Sequence, residues 1–549
     1  MMIYPALRIE VSYSSTLIAL WALILAVLSW IASFPMQGLS ILFLSSVALT
    51  SPHGESRMLF PLLFLAERLL DDVMSLGHAP LEFYASTLLS YLTLVVCRGE
   101  RRGNENRNIY LEAIMYAVVG LVVVFFICKD SVISVGAGVF VLAGFAFFLG
   151  LRSVLGENEA VLVGSLVGFY ICDVVINSGA AGGEEILHAP GYFTTKTHIA
   201  SRGAVLCAIY LSIVMYVGSR YCMVPRVNNS KSSERDISVQ RITALFWCSL
   251  TSIVAVVHAA VSFQFKENAL LWIWHYITSS SFRVRVLMAW ATVIPISVVA
   301  VHKFTTKLRS TARRKLFHFL AVVAFTPVAL VDPQFLSLAL SVATSLSVIV
   351  ELARSYRVCG SHTVDAFIAS HIDGRETING AVRTHIYLIY GLGLSMMLRY
   401  RHEQPKTVMQ LPREMGLSLN IIPGIVSLGV VDACAGIVGS TFLIPYRRAL
   451  GRYLNNKFYT ERANASITHK TTTGTAAGLL CGASFWLFIL LITQAVVERA
   501  AAYTYFLILL CSVTECFMDG IDNLQLPLVV DGVAQTLFVI LIRSSNLWK

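Results

Sequence analysis

Long apolar runs separated by short polar stretches repeat along the whole chain. Runs such as Ser15–Ser33, Ile109–Ile127, Ser131–Leu151, Gly203–Gly218, Ile242–Ser262 and Thr475–Thr493 carry hardly any charge. A helix needs roughly 20 such residues to cross an apolar layer of about 30 Å, and the chain offers about 14 candidates. In lipid every backbone N–H and C=O has to be satisfied within the protein, which predicts helices for these runs. The expected fold is all-α: a polytopic transmembrane helical protein with about 14 spans. No small-residue cleavage site follows the first run, so it is expected to be a retained span rather than a signal peptide.

Composition agrees. The 549 residues are 56% hydrophobic and 13% charged, against about 25% charged in soluble domains. A soluble globular class is thereby excluded. The net charge of +10 gathers in Arg98–Arg107, Arg220–Arg241, His302–Lys315 and Tyr446–Lys470. These are short loops between spans, so the positive-inside rule places them in the cytosol and a nucleic-acid partner is not expected. Eleven cysteines are scattered singly, without metal-type pair spacing or a disulfide framework.

Two regions differ in chemistry. Residues 1–300 are apolar spans joined by short loops, and their function is not legible. There Asp173 is expected to be structural, and Glu67, Arg68, Asp71 and Asp72 read as the polar face of an interfacial segment. Residues 301–545 place charge repeatedly at helix ends. Counting spans onward from the basic loop His302–Lys315 brings Arg314, Lys315, His318, Glu351, Arg354, Asp373, Asp432, Lys470, Glu515 and Asp522 to one membrane face. Arg399, Arg401, Lys406 and Arg413 fall on the other side and dissent from the rule.

Asp432 stands inside the membrane-grade segment Ile425–Ser440. A carboxylate at a helix centre costs about 2.5–3.5 kcal/mol on insertion, so such acids are functional by default. The following loop ends in His469-Lys470-Thr471-Thr472-Thr473-Gly474-Thr475. Lysine, hydroxyls and glycine backbone are groups that hold phosphate oxygens, although this spacing is not that of a P-loop. Phosphoryl transfer needs such cations, with carboxylates for Mg²⁺ and a group to position the attacking hydroxyl. Asp432 with Asp522 or Glu515 suits a Mg²⁺ ion, which takes one or two carboxylates besides phosphates and water.

Plainer roles stand beside these. Arg314-Lys315 also suits an interfacial anchor, and His318 a packed or headgroup-level histidine. Glu351 and Arg354 at i,i+3 suit a surface ion pair. Ala433, Ala435, Gly436, Gly439 and Ser440 suit a close-packing helix face.

The ordered set of motifs resembles the dolichol kinase family of membrane polyprenol kinases. It runs Arg314-Lys315-Leu316-Phe317-His318, Glu351-Leu352-Ala353-Arg354, Asp373-Gly374 and Thr384-His385-Ile386-Tyr387-Leu388. Asp432-Ala433-Cys434-Ala435-Gly436-Ile437-Val438-Gly439-Ser440-Thr441, then Lys470-Thr471 with Gly474-Thr475, then Ile521-Asp522-Asn523-Leu524-Gln525-Leu526-Pro527-Leu528 complete it. Glu515 also falls where that family has an acid, and the resemblance covers roughly Trp272 to Val530.

The resemblance implies transfer of the γ-phosphate of CTP to the terminal hydroxyl of dolichol or another polyprenol. The implied setting is the cytosolic face of the endoplasmic reticulum, where the product serves protein glycosylation. It implies CTP contacts at Lys470, Thr471, Gly474 and Thr475, with Gly439 and Ser440 beside them. Arg314, Lys315 and Arg354 would neutralise the moving charge, and Asp432 and Asp522 would orient the hydroxyl or, with Glu515, hold Mg²⁺ or another divalent cation. The lipid tail would lie between apolar helices.

Two departures stand out. Thr473 occupies a place where the family usually has Glu, and Phe442–His469 lengthens a connection that is short in the family. Alternatives are a related CTP-using enzyme, either a phytol-type kinase or a phosphatidate cytidylyltransferase, and, from another class, a polytopic transporter. Charges clustered at one interface rather than at the midplane speak against the transporter.

Overall fold

A computed structural model of the protein describes residues 13–31, 81–101, 131–180, 195–222, 232–305, 310–358, 382–399, 423–441, 472–493 and 522–546. It also describes short helical pieces at 37, 41, 57–59, 61–62 and 65. Every regular element among the described residues is helical, as the apolar runs predict. The chain forms two compact units, one of Met1–Tyr192 with Phe517–Lys549 and one of Phe193–Cys516. The chemical boundary near residue 300 thus falls inside the second unit.

The first unit contains α1 (Tyr13–Ile31), α2 (Leu81–Arg101), α3 (Ser131–Leu155) and α4 (Glu157–Ala180). The last helix of the chain, Asp522–Asn546, also belongs to it. α3 and α4 pack along their lengths. Trp21 Nε1 donates to Thr536 Oγ1 at 3.0 Å, which ties α1 to the final helix. Asp173 is buried here.

The second unit begins with α5 (Lys196–Cys222), α6 (Ser232–Phe265), the short α7 (Ala269–Thr278) and α8 (Ser281–Phe304). It continues with α9 (Ser310–Val331), α10 (Pro333–Ser355) and α11 (Thr384–Arg399). A π-helical segment, Ile425–Asp432, then runs directly into α12 (Ala433–Thr441), and α13 (Thr472–Thr493) follows. α10 packs on α5 and α11, while α9 and α13 both pack on the π segment and α12.

The turn between α9 and α10 is built from its own residues. Asp332 caps α10 by accepting from the Phe335 N–H at 3.0 Å, with Pro333 at the first helical position. Arg283 donates to the other Asp332 oxygen at 2.7 Å and to the Tyr276 carbonyl at 2.6 Å. Its guanidinium lies 3.7 Å from the centre of the Tyr276 ring.

Five helices among the described residues are long and apolar enough to cross a membrane, all in the second unit: Lys196–Ser219, Val239–Phe265, Ser281–Phe304, Ala312–Val331 and Pro333–Ser355. Four shorter apolar helices accompany them. Other runs counted toward about 14 spans, Ile109–Ile127 among them, lie outside the described residues. Val256, Phe263, Met288 and Ile296 on α6 and α8 are 66–74% exposed. Apolar surface on that scale belongs against lipid. The protein is an all-α membrane protein.

Candidate active site

Lys315 and His318 lie three residues apart near the start of α9, a spacing that puts both on one helix face. Both are buried, and so is Asp432, the last residue of the π segment. The Lys315 ammonium pairs with Asp432 Oδ2. His318 Nδ1 stands 3.6 Å from the same oxygen and 2.8 Å from the Leu428 carbonyl oxygen. A carbonyl oxygen only accepts, so Nδ1 is the nitrogen that carries hydrogen. Two basic groups on one helix thus converge on one acid of another.

Local backbone makes this possible. π turns occur mostly as single-turn bulges inside α-helices and often at functional sites. Here the wider turn ends at Asp432, where the Ala433 N–H bonds the Val430 carbonyl. The Leu428 carbonyl accepts from His318 across the helix interface. Gly436 completes the fit, because a Cβ there would lie 2.9 Å from Lys315 Cε and 3.1 Å from its Cγ. The lysine stem therefore lies flat on the glycine and delivers its charge to Asp432 one turn away.

The remaining expected site residues fall in several places. Arg314, next to Lys315, is half-buried. Arg354 forms a second cluster: its Nε and Nη2 donate to the two Glu351 carboxylate oxygens at 2.9 and 2.6 Å. Glu351 also accepts from the Ser355 hydroxyl at 3.1 Å and from the Val382 N–H at 2.6 Å. Both residues are buried, so the surface ion pair suggested by i,i+3 spacing is instead an internal clasp between the end of α10 and the approach to α11.

Gly439 lies on α12, and Ser440 follows it in the same helix. Gly474 and Thr475 lie in the first turn of α13. α13 packs on α12 and the π segment, and a Cβ on Gly478 would lie 2.9 Å from the Val431 carbonyl oxygen and 3.3 Å from Ala435 Cβ. Asp522 opens the final helix, in the first unit. Lys470, Thr471, Glu515 and Asp373 lie outside the described residues. No group of three His, Cys, Asp or Glu that could hold a metal gathers among the described residues. The described carboxylate suited to a cation shared with phosphate is Asp432.

The contact of His318 with Asp432 went beyond what the sequence indicated, its only signal being the shared face with Lys315. Asp531 was also missed. It is wholly buried within the final helix and accepts from Gln535 Nε2 at 3.2 Å. Its context, Val529-Val530-Asp531, repeats the Val430-Val431-Asp432 pattern and could have marked it.

Beside the Lys315–Asp432 pair, α9, the π segment, α12 and α13 enclose an open-sided cleft of about 480 Å³. Its walls are almost entirely apolar, with Phe319 and Val322 from α9, Val430 from the π segment, Cys434 from α12, and Cys481 and Ser484 from α13, while neither Lys315 nor Asp432 lines it.

Comparison with known proteins finds the bovine dolichol kinase 26% identical over 277 residues, 48% of this chain and 47% of that protein. The Saccharomyces cerevisiae dolichol kinase is 22% identical over 271 residues, 48% of this chain and 44% of that protein. An Arabidopsis thaliana dolichol kinase is 24% identical over 393 residues, 68% of this chain and 63% of that protein. The chain spans about half the length of the mammalian and yeast relatives it matches. No family model and no solved structure matches. The chain is thus similar to dolichol kinases of mammals, yeasts and a plant.

Proposed function

We propose that the protein is a CTP-dependent lipid kinase that phosphorylates dolichol or a similar polyprenol. The observation that carries this reading is a buried acid, Asp432, paired with Lys315 near an apolar cleft, within a region similar to dolichol kinases.

The roles follow from the chemistry of the groups. The terminal hydroxyl oxygen attacks the γ-phosphorus of CTP while the bond from that phosphorus to the β–γ bridging oxygen breaks. The hydroxyl proton passes to the Asp432 carboxylate, and CDP leaves. Lys315 balances the negative charge that spreads over the transferring oxygens, as cations do in phosphoryl transfer. His318 packs 3.6 Å from the acid with its Nδ1–H fixed on the Leu428 carbonyl. Arg314 lies beside this pair on α9, and Arg354 braces the end of α10 through Glu351.

The start of α13, with Gly474 and Thr475, offers backbone N–H groups and a hydroxyl to nucleotide phosphates. Lys470 and Thr471 precede it, and Gly439 and Ser440 lie near the end of α12. A divalent cation such as Mg²⁺, held by Asp432, would supply charge neutralisation at the phosphates. The reaction is placed at the cytosolic face of the endoplasmic reticulum membrane, where dolichyl phosphate feeds glycosylation.

The test is purified protein in detergent with dolichol and CTP labelled at the γ-phosphate. Label is expected in the lipid with wild type and reduced at least a hundredfold with Asp432→Asn. No label transfer by wild type ends the kinase reading. Pyrophosphate in place of CDP would make the protein a cytidylyltransferase.

A further inference from the structure

We propose that α7 is a membrane-surface helix, seated among the phospholipid headgroups of the leaflet opposite the Lys315–Asp432 pair. The inference goes beyond the kinase reading and does not depend on it.

Length and position exclude a crossing. The ten residues of α7, Ala269–Thr278, rise about 15 Å, half of an apolar layer of about 30 Å. Its neighbours α6 and α8 are both long and apolar enough to cross, so the two ends of α7 share one boundary. α8 then crosses to the basic loop before α9, and Lys315 stands near the start of α9. One crossing therefore separates α7 from the pair. The Arg283–Asp332 ion pair fits this path, since it joins the start of α8 to the end of α9. A second ion pair, Lys196 with Glu267, joins the start of α5 to the residues between α6 and α7 at the same end. Charges are costly inside the apolar layer, so these pairs mark its edge.

α7 packs one face on the protein and leaves another uncovered. The Trp272 ring stacks on Tyr276 with centroids 5.0 Å apart and meets the Phe265 ring edge-on at 4.9 Å. The Ala269 N–H donates to Ser262 Oγ at 3.0 Å, which fixes the helix start to the end of α6. On the uncovered side Leu270, Leu271 and Trp274 are 59–65% exposed. They stand at i, i+1 and i+4, on one side of the helix. Phe263, in the last turn of α6, is 74% exposed and joins this surface to the lipid-facing side of that span. Helices with such a face sink roughly 5–10 Å into the boundary between headgroups and acyl chains, and tryptophan is enriched there.

Two cations flank the apolar face. Lys266 and Arg285 are exposed, and neither pairs with a carboxylate among the described residues. Lys266 closes α6 at φ +56°, with its own N–H on the Phe263 carbonyl and the Glu267 N–H on the Ser262 carbonyl, both at 3.3 Å. Glycine is unstrained in that left-handed position. A lysine there supplies what glycine lacks, a cation at the boundary. Long basic side chains lay their stems on apolar surface and keep the charge in the polar layer. A phospholipid leaflet complements both features, with acyl carbon beneath Leu270, Leu271 and Trp274 and phosphates level with Lys266 and Arg285.

The experiment reads Trp274 in the full-length protein in phosphatidylcholine nanodiscs, as the fluorescence difference between wild type and Trp274→Phe. Lipid brominated near the glycerol end of its chains is expected to quench this difference at least threefold more than lipid brominated near the methyl end, and more than aqueous iodide does. Stronger quenching by the deep bromines overturns the proposal, because α7 would then dip into the apolar layer. Stronger quenching by iodide overturns it by leaving α7 in water. Protection from every quencher overturns it as well and puts protein over the face, whether a second copy or another chain.

A second arm combines Lys266→Glu with Arg285→Glu, reversing two exposed charges while circular dichroism checks that the helices are kept. Shallow quenching of Trp274 is expected to fall at least twofold. Unchanged quenching overturns the phosphate contact of these cations. No readout needs nucleotide or turnover, so failure here leaves the kinase reading standing, and loss of the kinase reading leaves the surface helix standing.

Discussion

At the scale of the residue, Lys315 and Asp432 each make the other tolerable. Removing one partner of a buried pair strands a charge and costs about 3–5 kcal/mol, while replacing both by apolar groups is often neutral. Lys315→Met and Asp432→Leu are each expected to lower unfolding free energy by about 3–5 kcal/mol, with the double variant recovering most of the loss. Denaturant unfolding in detergent measures this. Lipid phosphorylation should be absent from all three, and a double variant that regained it would remove the pair from the site. Tyr276 gives a test outside the site. Burial, then the Asp332 carboxylate, push its hydroxyl up to about 12 against the opposing Arg283 charge. Because the folded protein holds this proton more tightly, the contribution is complete below the usual 10 and is lost as pH rises toward 12. A tyrosinate absorbance step near pH 12 should disappear in Tyr276→Phe.

At the scale of the element, the π segment decides where Asp432 points. Each α-helical residue turns the chain by about 100°, so one residue more or fewer re-aims everything that follows. Deleting Ser427 is expected to convert the segment to α-helix, turn Asp432 away from Lys315 and abolish phosphorylation, with helix content by circular dichroism retained. Full activity in that deletion would make the π turn incidental. Here the limits of sequence are physical. Asp432 was legible because an acid in an apolar run is costly whatever surrounds it. Its contact with His318 was not, since it depends on a bulge in its own helix that no periodicity announces. The burial of the Glu351–Arg354 clasp was not legible, because i,i+3 spacing fixes adjacency and leaves a surface pair open as an alternative. Glu351→Gln removes the charge from a buried bidentate pair and is expected to destabilise by about 3 kcal/mol. Unfolding in detergent would show it.

At the scale of the whole molecule, the apolar runs were the most readable signal. Ser15–Ser33 became Tyr13–Ile31, and Ile242–Ser262 lies within Ser232–Phe265, because a backbone in lipid has little choice but the helix. Contacts between distant helices carry no comparable signature in one chain. The orientation argued from the basic loops gives a direct test. Asn464-Ala465-Ser466 and Asn228-Asn229-Ser230 are sequons in loops assigned to the cytosol, so both should stay bare when the protein is expressed in eukaryotic cells. A glycan at Asn464, seen as an endoglycosidase-sensitive mass shift, would invert the topology.

The Lys315–Asp432 pair spans 117 residues of sequence, and this has a consequence for biosynthesis. At about 5–20 residues per second, the helix bearing Lys315 is made roughly 6–23 s before its acid emerges. During that interval the newborn helix must shelter a lone ammonium, which a position near the helix end permits by letting the stem reach the water interface. The charge comes to rest only when the π segment arrives. The nascent protein thus passes through a stage in which its future reaction centre is a half-inserted, unneutralised helix, the stage most exposed to quality control.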